Sequence, residues 1–459
     1  VTLAMLAGCK STSPPPIDSE SVIGNALGLG SPIAFRIEGG PLDEPGDHDR
    51  LTLADATHLA ATTDPGLQMA IARVRAALAD ADQARLLPNP ILNLIFKFPT
   101  SGGKPSIEAE LSGDIVSMLQ IPRRASAADN RLRAGCAEAL TTALAVVAEA
   151  QERYATVQAL DELMPVLEAR RRLLDRLLEL SRDRLEAGEG TRSDVTTLEA
   201  QRVELDVEIA GKRQEQRDER LRLSRLIGQP SGEAAWVAEN WQAPQYAAAN
   251  EPAWIDTALV HRPEVQAAVW ELAALGDDLA LTKFAPFDGS SAGVKADRDD
   301  GWSVGPSITV PIPIFDVGQA KRAKATAMQI EARHKLTQAR RQVVEDVRRA
   351  YQSLAAAQAN LERVRKELIP LQEQRRSQAE DAYRAGQTDV TALFLAEQDL
   401  QASLAKRVEL EQTAAVSLVR LERAVGGGGI AAQIGAPPPP APSPPSGTSN
   451  KSASTNNPK

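Results

Sequence analysis

Residues 187–194, Ala-Gly-Glu-Gly-Thr-Arg-Ser-Asp, and residues 385–389, Ala-Gly-Gln-Thr-Asp, are one helical turn-around written twice, 198 positions apart. Glycine ends an outgoing helix because it takes a left-handed conformation without a Cβ clash, and Thr or Asp caps the incoming one. The stretch before the first turn, 123–187, contains Gly135 and Pro165 and otherwise no Gly or Pro. It predicts a helix of about 65 residues, about 98 Å if straight. Along it Leu160, Met164, Leu167, Leu174, Leu178 and Leu185 follow a 4-3-4-3 spacing, with Arg171 and Ser181 as polar interruptions. Leu354, Ala357, Leu361, Val364, Leu368 and Leu371 do the same before the second turn. That spacing is a coiled-coil seam. Each turn therefore joins the two arms of a long helical hairpin. Pro165 and Pro370 are expected to kink the outgoing arms.

Working outward, residues 60–228 recur as 258–426 at the same offset. Pro65, Gln68, Ala76, Asp80 and Pro88 meet Pro263, Gln266, Ala274, Asp278 and Pro286; Arg222, Leu223 and Gly228 meet Arg420, Leu421 and Gly426. A period this long is no solenoid; a large supersecondary unit occurs twice. Each unit opens with a helix of about 22 residues whose Pro is tolerated in the first turn, and a strand pair follows. Ile107, Ala109, Leu111 and Ile115 alternate with Glu108, Glu110, Ser112 and Asp114, and Leu92, Leu94, Phe96 and Phe98 share a face before them. In the second unit Trp302, Val304, Ile308, Val310 and Ile312 alternate with Ser303, Gly305, Ser307 and Thr309, preceded by a weaker Ala292, Val294, Ala296. Period two with one apolar and one polar face suits a half-buried strand or a tilted barrel strand of about 10 residues. The organisation that results is a leader remnant 1–8, a linker 9–50 and repeat 1 over 51–230, with strands 91–98 and 107–119 and tip 187–194. A linker 231–250 leads to repeat 2 over 251–427, with strands 290–297 and 302–312 and tip 385–390, and then a disordered Pro/Ser-rich tail 428–459.

Of the 459 residues, 43% are hydrophobic but only 3% aromatic, which suits helices packed along seams. The net charge of −9 comes from acidic and basic residues mixed along the same stretches, so no basic face for nucleic acid is expected. Cys136 falls in a helical stretch and reads as a small seam residue. Cys9 ends Leu6-Ala7-Gly8-Cys9 after a short apolar run, which is similar to a bacterial lipobox, cut before the Cys and acylated on it. No stretch approaches 18 apolar residues, so a membrane crossing would have to use strands in a closed barrel. Four strands cannot close one, because the smallest spanning barrels have about eight. Three copies supply enough.

The order of these features resembles the TolC-like outer-membrane factor family, the exit ducts of tripartite efflux pumps and type I secretion systems. The resemblance rests on Arg262-Pro263-Glu264-Val265, on Pro311-Ile312-Pro313-Ile314-Phe315-Asp316, on Gly188 to Asp194 with Glu199, and on Tyr383-Arg384-Ala385-Gly386. It implies a mainly α fold with a small β part, assembled as a homotrimeric α-barrel continuous with a 12-strand transmembrane β-barrel. It implies outer-membrane lipid, a periplasmic adaptor protein and an inner-membrane pump as partners, and no cofactor. Glu108, Glu110 and Asp114 would face the lumen. Gly188, Thr191, Arg192, Asp194, Gly386, Thr388 and Asp389 would form the periplasmic tip that narrows the pore and docks the adaptor. Asp194 stands at the family's tip acid; in the second tip Asp389 is the nearest substitute. Helix capping is the alternative role for both.

His48, His58, His261 and His334 are scattered, and the sequence carries no HExxH, Walker loop, G-x-S-x-G or CxxC. The expectation is a conduit for small toxic solutes or metal ions and not an enzyme. A duct for protein secretion and a periplasmic coiled-coil scaffold are the competing readings.

Overall fold

The computed structural model describes residues 33–43, 50–98, 105–232, 234, 236–241, 250–298 and 301–428. The leader 1–8, Cys9, most of the first linker, much of the second and the tail from 429 onward lie outside them.

Among the described residues the chain runs β1 (Arg50–Leu51), α1 (Leu53–Thr63), α2 (Pro65–Arg85), β2 (Ile91–Lys97), β3 (Ser106–Asp114), α3 (Ile115–Glu186), α4 (Arg192–Leu226), β4 (Val237–Ala238), α5 (Glu251–His261), α6 (Pro263–Leu281), a 3₁₀ turn Thr282–Phe287, β5 (Ser291–Arg298), β6 (Trp302–Thr309), α7 (Gln319–Arg363), a π-helical turn Val364–Leu368, α8 (Ile369–Arg384) and α9 (Val390–Val425). It is mainly helical with a small sheet. Local chemistry sets the boundaries. Thr52 and Asp55 form a capping box that starts α1. Asp64 caps α2 by accepting the Leu67 N–H at 2.8 Å, with Pro65 in the first turn. Asn250 caps α5 in the same way.

Several boundaries differ from the sequence reading. The strand expected over 107–119 ends at Asp114. That carboxylate accepts the Ser117 N–H at 2.8 Å and the Ser117 hydroxyl at 2.6 Å, so it caps α3 and turns the chain helical at once. Ile115 is thus the first residue of a helix and not a strand residue facing away from Asp114. The strand expected over 302–312 ends at Thr309, where Pro311 and Pro313 lack the N–H that a ladder needs. Helix α3 is 72 residues long and runs unbroken through Pro122 and Pro165. The second hairpin instead interrupts its outgoing arm, with the π turn just before Pro370.

That π turn changes the repeat register. Ala60, Val146, Ala150 and Leu226 form one buried cluster; its counterpart in repeat 2 is Ala258, Val343, Val347 and Ala424. Ala60 to Ala258 and Leu226 to Ala424 are 198 apart, but Val146 to Val343 and Ala150 to Val347 are 197 apart. The offset is therefore not constant. α7 runs one residue short against α3, and a π turn, which holds one extra residue in a helix, restores 198 before the second tip.

The two hairpins are held differently. In the first, Leu163, Leu167, Leu174, Leu177 and Leu178 of α3 pack on Val195, Leu198, Leu205 and Ile209 of α4, each such burial being worth about 1.5–3 kcal/mol. In the second, Leu354, Ala357, Leu361 and Val364 are buried, but Leu368 and Leu371 of the expected seam are 37% and 63% exposed. α8 has no buried residue. It is tied to α9 by Arg375–Asp399 and Arg376–Glu397. At the base of the first repeat, β1 and the linker strand β4 pair in parallel, and the Tyr154 hydroxyl donates to the Leu51 carbonyl at 2.8 Å while accepting the Glu239 N–H.

Candidate functional site: a two-faced sheet and paired tips

The four longer strands form one antiparallel sheet in the order β2-β3-β5-β6. The central pairing, β3 with β5, joins the two repeats. Residues opposite each other share a face, so the register sorts the side chains. One face carries the row Leu92, Leu111, Val294, Pro306 and the row Leu94, Ala109, Ala296, Val304. Leu92, Leu111, Val294 and Val304 are all more than half exposed. The other face carries Asn93, Glu110, Lys295, Gly305 and Ile95, Glu108, Asp297, Ser303.

On that polar face Glu108 lies between two lysines: Lys97 at 2.7 Å from β2, and Lys295 from β5. Ser307 of β6 donates to Glu110 at 2.7 Å. Glu108, Glu110 and Asp114 share the polar parity of β3, with the Asp114 carboxylate engaged at the helix start. Sequence reading missed Lys97 and Lys295 as partners. Their positions on the polar parity of their strands were the available signal, but only the register shows that both reach one carboxylate.

At the opposite end, Gly188 and Gly386 hold φ of 78° and 69° and close α3 and α8. Thr191 and Asp194 form a capping box: the Thr191 side chain accepts the Asp194 N–H, and the Asp194 carboxylate accepts the Thr191 N–H at 3.1 Å. The Thr191 side chain, and after it the Thr191 backbone N–H, hold the Asp194 carboxyl below its usual range. Arg192 opens α4, and Thr388 sits exposed in the second turn. Asp389 makes no capping bond of its own. It forms an ion pair with Arg184 in the last turn of α3, so one tip grips the other. Arg184 lies outside the turn motif, which is why sequence reading did not single it out.

The repeats also meet at a buried carboxylate. Asp277 of α6 receives Arg123 at 2.9 Å, Ser126 at 2.6 Å and Asn130 at 3.4 Å, all from α3. Asp278 pairs with Arg131, and the Arg133 guanidinium sits 4.7 Å over the Trp270 ring. Among the described residues no group of acidic, His or Cys side chains could hold a metal ion, and no helix is long and apolar enough to cross a membrane.

A family model described as Outer membrane efflux protein matches residues 254–427. That match spans the second repeat. No curated protein matches the chain. Solved structures match its fold along most of its length. The outer membrane protein VceC from Vibrio cholerae is 20% identical, with TM-score 0.67, over 82% of this chain and 96% of that one. The outer-membrane channel OprN is 20% identical, with TM-score 0.68, over 86% and 97%. The MtrE outer membrane channel of Neisseria gonorrhoeae, solved in its open state, is 17% identical, with TM-score 0.65, over 88% and 96%. The matching family model is described as an efflux protein, and OprN and MtrE are each described as an outer-membrane channel.

Proposed function

We propose that three copies of this chain form the outer-membrane exit duct of a tripartite efflux system, passively conducting small toxic solutes or metal ions that an inner-membrane pump delivers through a periplasmic adaptor. The observation that carries this reading is the two-faced sheet, whose edge strands β2 and β6 have no outer partner among the described residues. Its apolar face suits lipid, its charged face suits an aqueous lumen, and three such sheets reach a closable strand number. The likeness to MtrE, described as an outer membrane channel, supports it. The test is reconstitution in planar bilayers, where discrete conductance steps are expected; a pure trimer that gives none overturns the reading.

The same preparation separates the roles at the tips. Asp194→Ala should lower the melting temperature by a few degrees through loss of its cap, with conductance unchanged. A carboxyl with a depressed folded pKa contributes stability above its unfolded value and loses it as pH falls through the folded one. The deficit of Asp194→Ala should therefore shrink in acid. Asp389→Ala should instead free the second tip from Arg184 and raise conductance with little change in stability, since a half-exposed pair contributes about 0–1 kcal/mol. Increased conductance in Asp194→Ala alone would return the gate to that residue.

In this reading Cys9 is the acylated mature N-terminus. Mass spectrometry of the purified protein should find the chain beginning at Cys9 with lipid attached. An unmodified chain still beginning at Val1 would refute this.

A further inference from the structure

The base of repeat 1 is closed by the segments that enter and leave it. Leu51 of β1, with Trp236 and Ala238 from the stretch after α4, completes a buried cluster with Ala56, Tyr154, Val157, Leu223 and Ile227. The packed clusters give the map to repeat 2: 198 residues from α1 to α5 and from α4 to α9, and 197 from α3 to α7. Ala56, Tyr154, Val157, Leu223 and Ile227 then map to Trp254, Tyr351, Leu354, Leu421 and Val425. All five pack in one cluster of repeat 2. Leu51, Trp236 and Ala238 map to Ala249, Ile434 and Ala436, which lie outside the described residues.

The two sets are the same residues rearranged. Each holds two alanines, two leucines and one each of Tyr, Val, Ile and Trp. The largest change is an exchange: Ala56 on the helix becomes Trp254, while Trp236 on the covering stretch becomes Ile434. Cores tolerate such trades when the total volume is kept. Tyr351 also shows what is missing. Tyr154 is 1% exposed and donates to the Leu51 carbonyl. Tyr351 is half-buried, and its hydroxyl makes no hydrogen bond among the described residues.

We propose that residues 429–436 fold back on repeat 2 of the same chain and seat Ile434 against Trp254, Tyr351 and Leu421, with Gly435 and Ala436 paired to Ala248 and Ala249 as β4 is to β1. The exit of the chain from α9 favours this occupant. A Cβ on Gly428 would lie 3.5 Å from Glu422 Oε2, so the backbone leaves the helix past that carboxylate. Glu422 stands where Ser224 accepts the Trp236 indole N–H at 3.3 Å in repeat 1. It has no partner among the described residues, and burial pushes its carboxyl up. A docked segment brings backbone N–H groups to it. Pro437 stands in the place of Glu239 and has no N–H, so strand pairing stops where the Pro run begins.

The test is disulfide formation in the full chain with Cys136→Ser. Arg50 and Val237 are partners across β1 and β4, so Arg50→Cys with Val237→Cys is the reference pair. Ala248→Cys with Gly435→Cys should link within one chain at a rate within about tenfold of the reference, since paired strands meet the distance a disulfide needs. Adding Ile434→Asp should abolish that link and leave the reference link intact. Failure of the second pair where the reference links overturns the proposal, and so does a link that joins two copies. Hydrogen exchange decides independently of the reference: amides 434–436 should exchange about 100-fold more slowly than an unstructured chain, and 441–459 should not. Unprotected amides at 434–436 overturn the docking, and protection that survives Ile434→Asp overturns the seat given to Ile434. None of these outcomes bears on the duct reading.

Discussion

Leu111→Arg should prevent stable insertion of the protein into the outer membrane, while Glu110→Arg, one residue away, should be tolerated. The register places Leu111 between Leu92 and Val294 on the apolar face, and Glu110 between Asn93 and Lys295 on the polar one. An arginine on a lipid-facing barrel strand costs about 2–4 kcal/mol near the bilayer midplane. Three copies repeat that cost around one barrel, so the assembled channel feels about 6–12 kcal/mol, enough to stop assembly. Glu110→Arg loses the bond from Ser307 and brings a second cation beside Lys295, but water in a lumen solvates both. The measurement is the fraction of each variant recovered as heat-modifiable trimer from outer membranes. Equal recovery of the two would show that this sheet does not meet lipid.

Much of this was legible before the fold, and the reason lies in periodicity. The 4-3-4-3 leucines of 160–178 marked buried residues because a heptad seam has one way to face its partner. Alternation in 107–112 marked two faces because a strand's side-chain period is two. Gly188 and Gly386 marked both turns because a positive φ excludes most other residues. What escaped was pairing across long sequence distances. Nothing local to Glu108 says that Lys295 is its neighbour, or local to Asp389 that Arg184 is. The one-residue slip in α7 was hidden because the matched Pro and Gly flank it on both sides, and only the buried clusters expose it. Leu371 misled because its spacing continued a seam that the π turn had already rotated away. Asp114 read as a strand residue by parity, while its side chain was capping the next helix.

Asp277→Ala should be among the most damaging single substitutions outside the sheet. The carboxylate is buried and accepts from Arg123, Ser126 and Asn130. Arg123 is 61% exposed and can rehydrate, so its share is small, about 0–1 kcal/mol. Asn130 is buried beneath α6 and Ser126 is half-buried there. Each loses its acceptor at about 1–3 kcal/mol, giving with Arg123 a total of about 2–7 kcal/mol in the monomer fold. The loss should be read by denaturant or thermal unfolding, with Asp278→Ala as the comparison, because its partner Arg131 is also well exposed and its effect should stay under about 1 kcal/mol. The decisive variant is the fourfold Arg123→Ala, Ser126→Ala, Asn130→Ala, Asp277→Ala. It removes the carboxylate together with all three of its donors. If polar groups here are costly only when left unpaired, the fourfold variant should recover most of the stability lost by Asp277→Ala alone. A fourfold variant as unstable as the single one would mean that packing volume, and not hydrogen bonding, holds α6 on α3.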